Sequence, residues 1–117
     1  MRHQNKTKTL GRKIGPRKAL TKTLAGQIIL YEKVKTTSAK AKVLKAYVER
    51  LITRARKNDV TTMRYLKTKL NSFSAVKKLL EVYGPQFKDR NGGYLRIIKA
   101  NQRKGDGAET VYLEIIK

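Results

Sequence analysis

Few side chains in this sequence could do covalent or acid–base chemistry, and they are scattered. The eight carboxylates are Glu32, Glu49, Asp59, Glu81, Asp89, Asp106, Glu109 and Glu114. Local spacing places no pair of them for acid–base work. There is one histidine, His3, and no cysteine. Disulfides, thiolate nucleophiles and thiolate metal sites are therefore excluded. A lone histidine with no carboxylate cluster cannot build a zinc or magnesium site. Neither a phosphate-cradling glycine loop nor a dinucleotide fingerprint is present. The expectation is a chain with no catalytic residues, no metal and no cofactor.

The plentiful chemistry is cationic. Lysine and arginine number 29 against 8 acids, a formal net charge of +21 on 117 residues. The first acid is Glu32, and eight cations precede it: Arg2, Lys6, Lys8, Arg12, Lys13, Arg17, Lys18 and Lys22. Such self-repulsion opposes folding until counterions or a polyanion relieve it. Nucleic acid is the natural partner. An anionic membrane would need an amphipathic helix with bulky apolar anchors. The longest apolar run, Ile28-Ile29-Leu30-Tyr31, is far too short to span a bilayer. Neither a membrane nor a small-molecule substrate is expected. No apolar signal segment follows the basic start, so the chain is expected to be cytosolic and complete.

The elements that must position these cations follow from periodicity. Residues 1–15 are poor in apolar side chains and predict a flexible basic arm, reaching roughly 50 Å at about 3.4 Å per residue. Residues 16–117 predict a single globular domain. Gly15-Pro16 marks a helix start, and Leu20, Leu24 and Ile28 give a stripe for helix 1 over about 16–30. Ala25-Gly26 offers a small patch for close backbone approach. Lys33–Thr36 alternates as a short strand. Thr37 or Ser38 can cap a helix over about 38–57, with Ala41, Leu44, Val48, Leu51, Ile52 and Ala55 as its apolar stripe. A shorter helix over about 60–70 carries Met63, Leu66 and Leu70. A fourth, capped by Ser72 or Ser74, runs to Tyr83, where Gly84-Pro85 is a stop signal. Residues 94–99 and 110–116 read as strands joined by the turn Lys104-Gly105-Asp106-Gly107. The order is helix, strand, three helices, two strands. The fold class is α+β, a two-layer α/β sandwich with a basic N-terminal extension.

The second helix carries Lys40, Lys42, Lys45, Arg50, Arg54, Arg56 and Lys57 away from its stripe, opposed only by Glu49. Solvated helix faces ordinarily mix signs, so this one favours phosphate contact. Tyr47 and Tyr65 could stack on bases, but the simpler reading is partly buried core. His3 could stack on RNA or be solvated. Gly92-Gly93 reads as a turn, with close phosphate approach as the functional alternative. Asp106 reads as a turn former, with Arg103 and Lys104 beside it available to phosphate.

Several strings taken together resemble one family. Met1-Arg2-His3 is similar to the start of the bacterial large-subunit ribosomal protein family numbered seventeen. Lys35-Thr36-Thr37, Lys40-Ala41-Lys42, Glu49 and Leu51-Ile52-Thr53 match its central stretch in order and spacing. So do Gly84-Pro85 with Phe87, Arg90 with Gly92-Gly93-Tyr94, and Arg96-Ile97. The run Arg103, Gly105-Asp106, Ala108 and Glu114 closes the match. The chain departs from the family's habit at Pro16-Arg17, Lys22-Thr23 and Tyr31-Glu32.

The resemblance implies a structural constituent of the 50S subunit that binds 23S ribosomal RNA, cytoplasmic and without catalytic role. It implies a two-layer α/β domain whose N-terminal extension enters the RNA, on the solvent side near the peptide exit. Neighbouring large-subunit proteins are implied partners, the one numbered thirty-two among them. The alternative is a free-standing nucleic-acid-binding accessory protein, although no helix-turn-helix signature supports it. The residues expected to contact RNA are Arg2, His3, Lys6, Lys8, Arg12 and Lys13 in the arm, and Arg17, Lys18 and Lys22 in helix 1. Lys35, Lys40, Lys42, Arg90, Arg96 and Arg103 complete the set.

Overall fold

In the computed structural model, residues 10–116 are described. Helix α1 spans Ile14–Tyr31 and follows an extended Lys13 at its N-cap. It begins two residues before the expected start. Pro16 thus falls inside the first turn, where a missing N–H breaks no helical bond. The helix stops at Glu32, whose φ of 68° turns the chain left-handed while its N–H returns to the Ile28 carbonyl at 2.8 Å.

The expected α1 stripe is corrected. Its buried residues are Ala25, Gly26, Ile28 and Ile29, while Leu20 and Leu24 are only half-buried. Only the C-terminal half of α1 packs on the core, so its N-terminal turns project from the body. Gly26 is no point of close approach either: a Cβ there would meet nothing within 4 Å.

The C-terminal end of α1 is held by side chains from the fourth helix. Tyr83 donates its hydroxyl to the Ile29 carbonyl at 2.9 Å, and Lys78 donates to the Leu30 carbonyl at 2.9 Å. Lys78 also pairs with Glu32 at 3.3 Å. Carbonyls that a helix end leaves unpaired are thereby satisfied, one of them by a cation suited to the negative end of the helix dipole.

Strand β1, Lys33–Thr37, leads directly into α2, Ser38–Ala55. Thr37 occupies the N-cap, but its hydroxyl makes no capping bond. All six residues of the expected α2 stripe are buried. The positive φ of Asn58, 47°, breaks the chain, and Asp59 caps α3, Val60–Lys69, by accepting from the Thr62 N–H at 2.7 Å. Leu66 and Leu70 are buried there, and Met63 packs partly against the core. Ser72 caps α4, Phe73–Lys78, by accepting from the Ala75 N–H.

Gly84-Pro85 does not stop the fourth helix. The chain continues through a π-helical turn, Leu79–Tyr83, into a last short turn, α5, Gly84–Gln86. The Gly84 N–H bonds the Leu79 carbonyl, five residues back. That wider turn accommodates the Pro85 ring, which in a regular helix presses on the carbonyl four residues earlier.

Strands β2, Leu95–Gln102, and β3, Glu109–Ile115, form the expected antiparallel hairpin. Its turn is closed by Gly107 N–H to Arg103 O at 3.0 Å and Arg103 N–H to Ala108 O at 2.8 Å. The sheet order is β1-β3-β2, antiparallel throughout, with Val34 opposite Leu113 and Leu113 opposite Ile97. The register shifts between Lys99 and Gln102.

Val111, Leu113 and Ile115 bury one face of β3, against which α2 packs with Leu44, Val48, Leu51 and Ile52. Alternation leaves Tyr112 and Glu114 on the other face with Lys33, Lys35 and Arg96. The result is the two-layer α+β sandwich, helices on one side of a three-stranded sheet.

Candidate nucleic-acid interface

The acids decide where free positive charge remains. Asp59 is a helix cap, and its carboxyl is held below the usual range by its bonds to Thr62. Glu32 pairs with Lys78. Glu114 pairs with Arg96 across the outer sheet face. Asp106 receives a two-pronged contact from Arg103, at 3.1 and 2.5 Å, and a bond from the Ala108 N–H. Those contacts, the Arg103 bond foremost, lower its carboxyl to a pKa of about 2. Several acids thus serve internal architecture and leave whole faces without a counter-charge.

One such face is continuous. The projecting half of α1 presents Arg17, Lys18 and Lys22 along a cleft of about 440 Å³, whose far side is made by Tyr47 of α2 and Thr68 and Lys69 of α3. Among the described residues no carboxylate lines it. Tyr47 donates its hydroxyl to the Lys69 carbonyl at 2.6 Å, fixing α2 to the end of α3 under the cleft. Burial raises the Tyr47 phenol above its ordinary pKa, so it remains a neutral donor. A smaller recess of about 120 Å³ shares Tyr47 and Lys69 and adds Arg50 and Tyr65. A third, of about 640 Å³, shares Arg50 and Tyr65 and adds Arg54 and Glu49. The three form a band across α1, α2 and α3, with cations spaced between two tyrosines.

Cationic grooves with interleaved aromatics suit nucleic acid, because lysine and arginine neutralise phosphates while rings offer stacking planes. Tyr65 is already covered by cations. The Arg54 guanidinium lies 4.2 Å from its ring centroid and Lys69 Nζ 5.6 Å. Such cation–π contact orders the long side chains before a ligand arrives.

The expected contact residues fall into distinct settings. Arg2, His3, Lys6 and Lys8 lie outside the described residues. Arg12, Lys13, Arg17 and Lys18 are exposed or half-exposed at the start of α1, and Lys22 lies half-buried in the cleft wall. Arg12 also donates to the Leu10 carbonyl at 2.7 Å. Lys35 stands on the outer sheet face near Tyr112, 5.8 Å from its ring, with Lys33 at 4.6 Å. Lys42 is exposed and Lys40 half-exposed on the early turns of α2. The Arg90 side chain is exposed, while its carbonyl accepts from the Tyr94 hydroxyl. Arg96 and Arg103 are each engaged by a carboxylate. The set is therefore not one site: only Arg17, Lys18 and Lys22 line the cleft together.

One reading of the basic α2 face changes. Arg56 leaves the basic face and turns inward, donating to the Lys88 carbonyl at 2.7 Å and to the Tyr94 hydroxyl at 3.4 Å. Tyr47 and Tyr65 are partly buried against the core, as the simpler reading held, yet both also line the band. Gly92 and Gly93 adopt φ of 139° and 65° with open space about them, which is turn geometry. Sequence reasoning left Lys69, Arg50 and Arg54 out of the contact set. Charge clustering on α2 pointed to the two arginines. Nothing local pointed to Lys69, which joins the band only because α3 folds back beside α1.

Comparison with known proteins matches the sequence over nearly its full length. The family model described as ribosomal protein L17 matches residues 20–116. The chain is similar to the large ribosomal subunit protein bL17 of Campylobacter concisus, 48% identical over 99% of this chain and 98% of the relative. Its counterpart in Campylobacter lari is 47% identical over 99% of both chains. That of Endomicrobium trichonymphae is 43% identical over 86% of both.

Proposed function

The chain belongs to the ribosomal protein L17 family, and from that premise we propose that it binds 23S ribosomal RNA through the basic band of α1, α2 and α3. Membership makes it a structural constituent of the large ribosomal subunit, with no catalytic role. The observation that carries the RNA assignment is the acid-free cleft in which Arg17, Lys18 and Lys22 face Lys69. The mechanism is charge neutralisation on a rigid frame. Phosphates displace counterions along the band, and the packed core fixes the spacing of the cations. In this reading the basic arm, expected over residues 1–15, adds its cations to the same partner and enters an RNA crevice. Neighbouring large-subunit proteins complete the environment, and the one numbered thirty-two is proposed among them.

The test is a salt titration of binding to 23S rRNA fragments. With about six phosphates neutralised, log K against log salt has a slope of roughly −4 to −5. Replacing Arg17, Lys18 and Lys22 together by glutamine should make that slope shallower by about 2 to 3. An unchanged slope in the triple variant would move the interface elsewhere. A free-standing accessory protein differs in one respect: it would wash from isolated large subunits at moderate salt, where a subunit constituent stays.

A further inference from the structure

We propose that the recess between α2, α3 and the segment before β2 is a base pocket that takes one unstacked guanine of the bound RNA. The proposal rests on the RNA-binding reading and deepens it. The recess has a volume of about 640 Å³ and is lined by Glu49, Arg50, Arg54, Tyr65, Gly92 and Tyr94. That is ample room for a nucleobase with its ribose.

Glu49 gives the recess its chemistry. Its Oε1 is buried, yet among the described residues no donor reaches it. Its backbone carbonyl, by contrast, accepts from the Thr53 hydroxyl at 3.0 Å. A buried acceptor without a partner is costly, and an incoming donor at the recess would relieve that cost. In a protein of net charge +21, with two arginines in the same lining, an unpaired carboxylate oxygen is the exception. The other parts fit a base. The Arg54 guanidinium lies over Tyr65, 4.2 Å from its centroid, and this cation–aromatic pair offers a wall for a base. Gly92 contributes no side chain to crowd the opening, and a Cβ there would meet nothing within 4 Å. Arg50 at the junction with the neighbouring recess is placed for the phosphate of the same nucleotide.

The carboxylate selects the base. Guanine presents two adjacent donors, N1–H and the N2 amino group, on its Watson–Crick edge. Uracil presents one N–H between two carbonyl oxygens, both repelled by a carboxylate. Adenine and cytosine offer one amino donor beside a ring acceptor. A carboxylate on that edge therefore prefers guanine, and single-stranded RNA exposes the edge for reading.

The test uses the full chain and fluorescent RNA pentamers of uridine whose central position is guanosine, inosine or uridine. The wild type should favour the guanosine probe over all-uridine on the order of tenfold, with inosine, which lacks the N2 amino group, between them. Glu49→Ala should bind the all-uridine probe more tightly, because a negative charge is removed, while the guanosine preference falls to near unity. Glu49→Gln, with unchanged shape, should also lose most of it. Thermal melting of each variant confirms that the fold is kept. Salt-dependent binding without base preference in the wild type, or a preference that survives Glu49→Ala, overturns the pocket and leaves the basic band standing. No binding to any pentamer or rRNA fragment overturns both. If blocked arginine amide, rather than the guanosine probe, perturbs the Thr53 and Tyr94 resonances, Glu49 serves a protein partner and the proposal fails.

Discussion

Gly84 lies so close to Ala55 that a Cβ built on it would stand 2.8 Å from the Ala55 carbonyl oxygen. The backbone of the last helical turn is thus laid directly on the C-terminal end of α2. Gly84 has an ordinary helical conformation, φ −54° and ψ −57°. Space, not backbone freedom, requires glycine here. Gly84→Ala should destabilise the fold by about 1–3 kcal/mol, the usual cost of forcing extra atoms into a packed site. A urea titration reads this as a lower midpoint at constant slope. An unshifted midpoint would mean that the two helices part without cost.

Gly26 is the opposite case. It is buried inside α1, but a Cβ would meet nothing within 4 Å. Gly26→Ala should raise stability by about 0.5–1 kcal/mol, because alanine loses less conformational freedom on entering a helix. The same urea titration should move the midpoint upward. A loss of stability would show that the neighbours of α1 sit closer than described.

These two glycines show what sequence can and cannot disclose. Periodicity located α2 and β3 well, because each buries one regular face. The α2 stripe from Ala41 to Ala55 and the alternation of Val111, Leu113 and Ile115 both rest on that single cause. Contacts between distant elements were not legible. Gly84-Pro85 reads locally as a stop, and only the packing against Ala55 and the π-turn reverse that meaning. Leu20 keeps the helical spacing of Leu24 and Ile28 but is not among the residues packed on the core. For the interface, sequence supplied the sign and abundance of charge. Which cations are free depends on partners such as Glu114 for Arg96, across the β2–β3 register.

Tyr83 carries a tertiary hydrogen bond to the Ile29 carbonyl at 2.9 Å, inside the core. Burial, and then the nearby Glu32, raise its phenol well above the ordinary tyrosine range, so the donor proton stays in place at any working pH. Tyr83→Phe keeps the ring and removes the donor, leaving a carbonyl at the end of α1 without its partner. The expected loss is about 1–3 kcal/mol, the penalty for an unsatisfied buried group. A chemical denaturation curve checks it. A loss within error of zero would mean that water replaces the hydroxyl.

The hairpin turn makes a pH prediction. Asp106 is lowered from 3.8 to about 2 by the Arg103 bond first and the Ala108 N–H next. A carboxyl whose folded pKa is depressed favours the folded state above its unfolded pKa. That contribution fades as pH falls from about 4 through about 2. An NMR titration of the Asp106 carboxyl should find its midpoint near the lower value. Arg103→Ala should move the midpoint back toward the ordinary range. A midpoint unaffected by Arg103→Ala would assign the shift to the turn backbone alone.

Position, and not only charge, should decide which cations matter for RNA. Arg17→Gln, Lys22→Gln, Arg96→Gln and Arg103→Gln each lower the net charge by one, so any long-range electrostatic effect is the same for all four. Their local settings differ. Arg17 and Lys22 line a cleft without a carboxylate, whereas Arg96 and Arg103 each face one, Glu114 and Asp106. A cation already held by a carboxylate must give up that contact before it can neutralise a phosphate, and removing it leaves a bare anion. Arg17→Gln and Lys22→Gln should therefore each make the salt slope shallower by about 0.7–0.9, one phosphate contact apiece. Arg96→Gln and Arg103→Gln should change the slope by less than half of that, with a small uniform loss of affinity. Four titrations against the same rRNA fragment decide the matter. Equal slopes in all four variants would mean that the RNA senses only the overall charge, and that the band across α1, α2 and α3 has no privileged role.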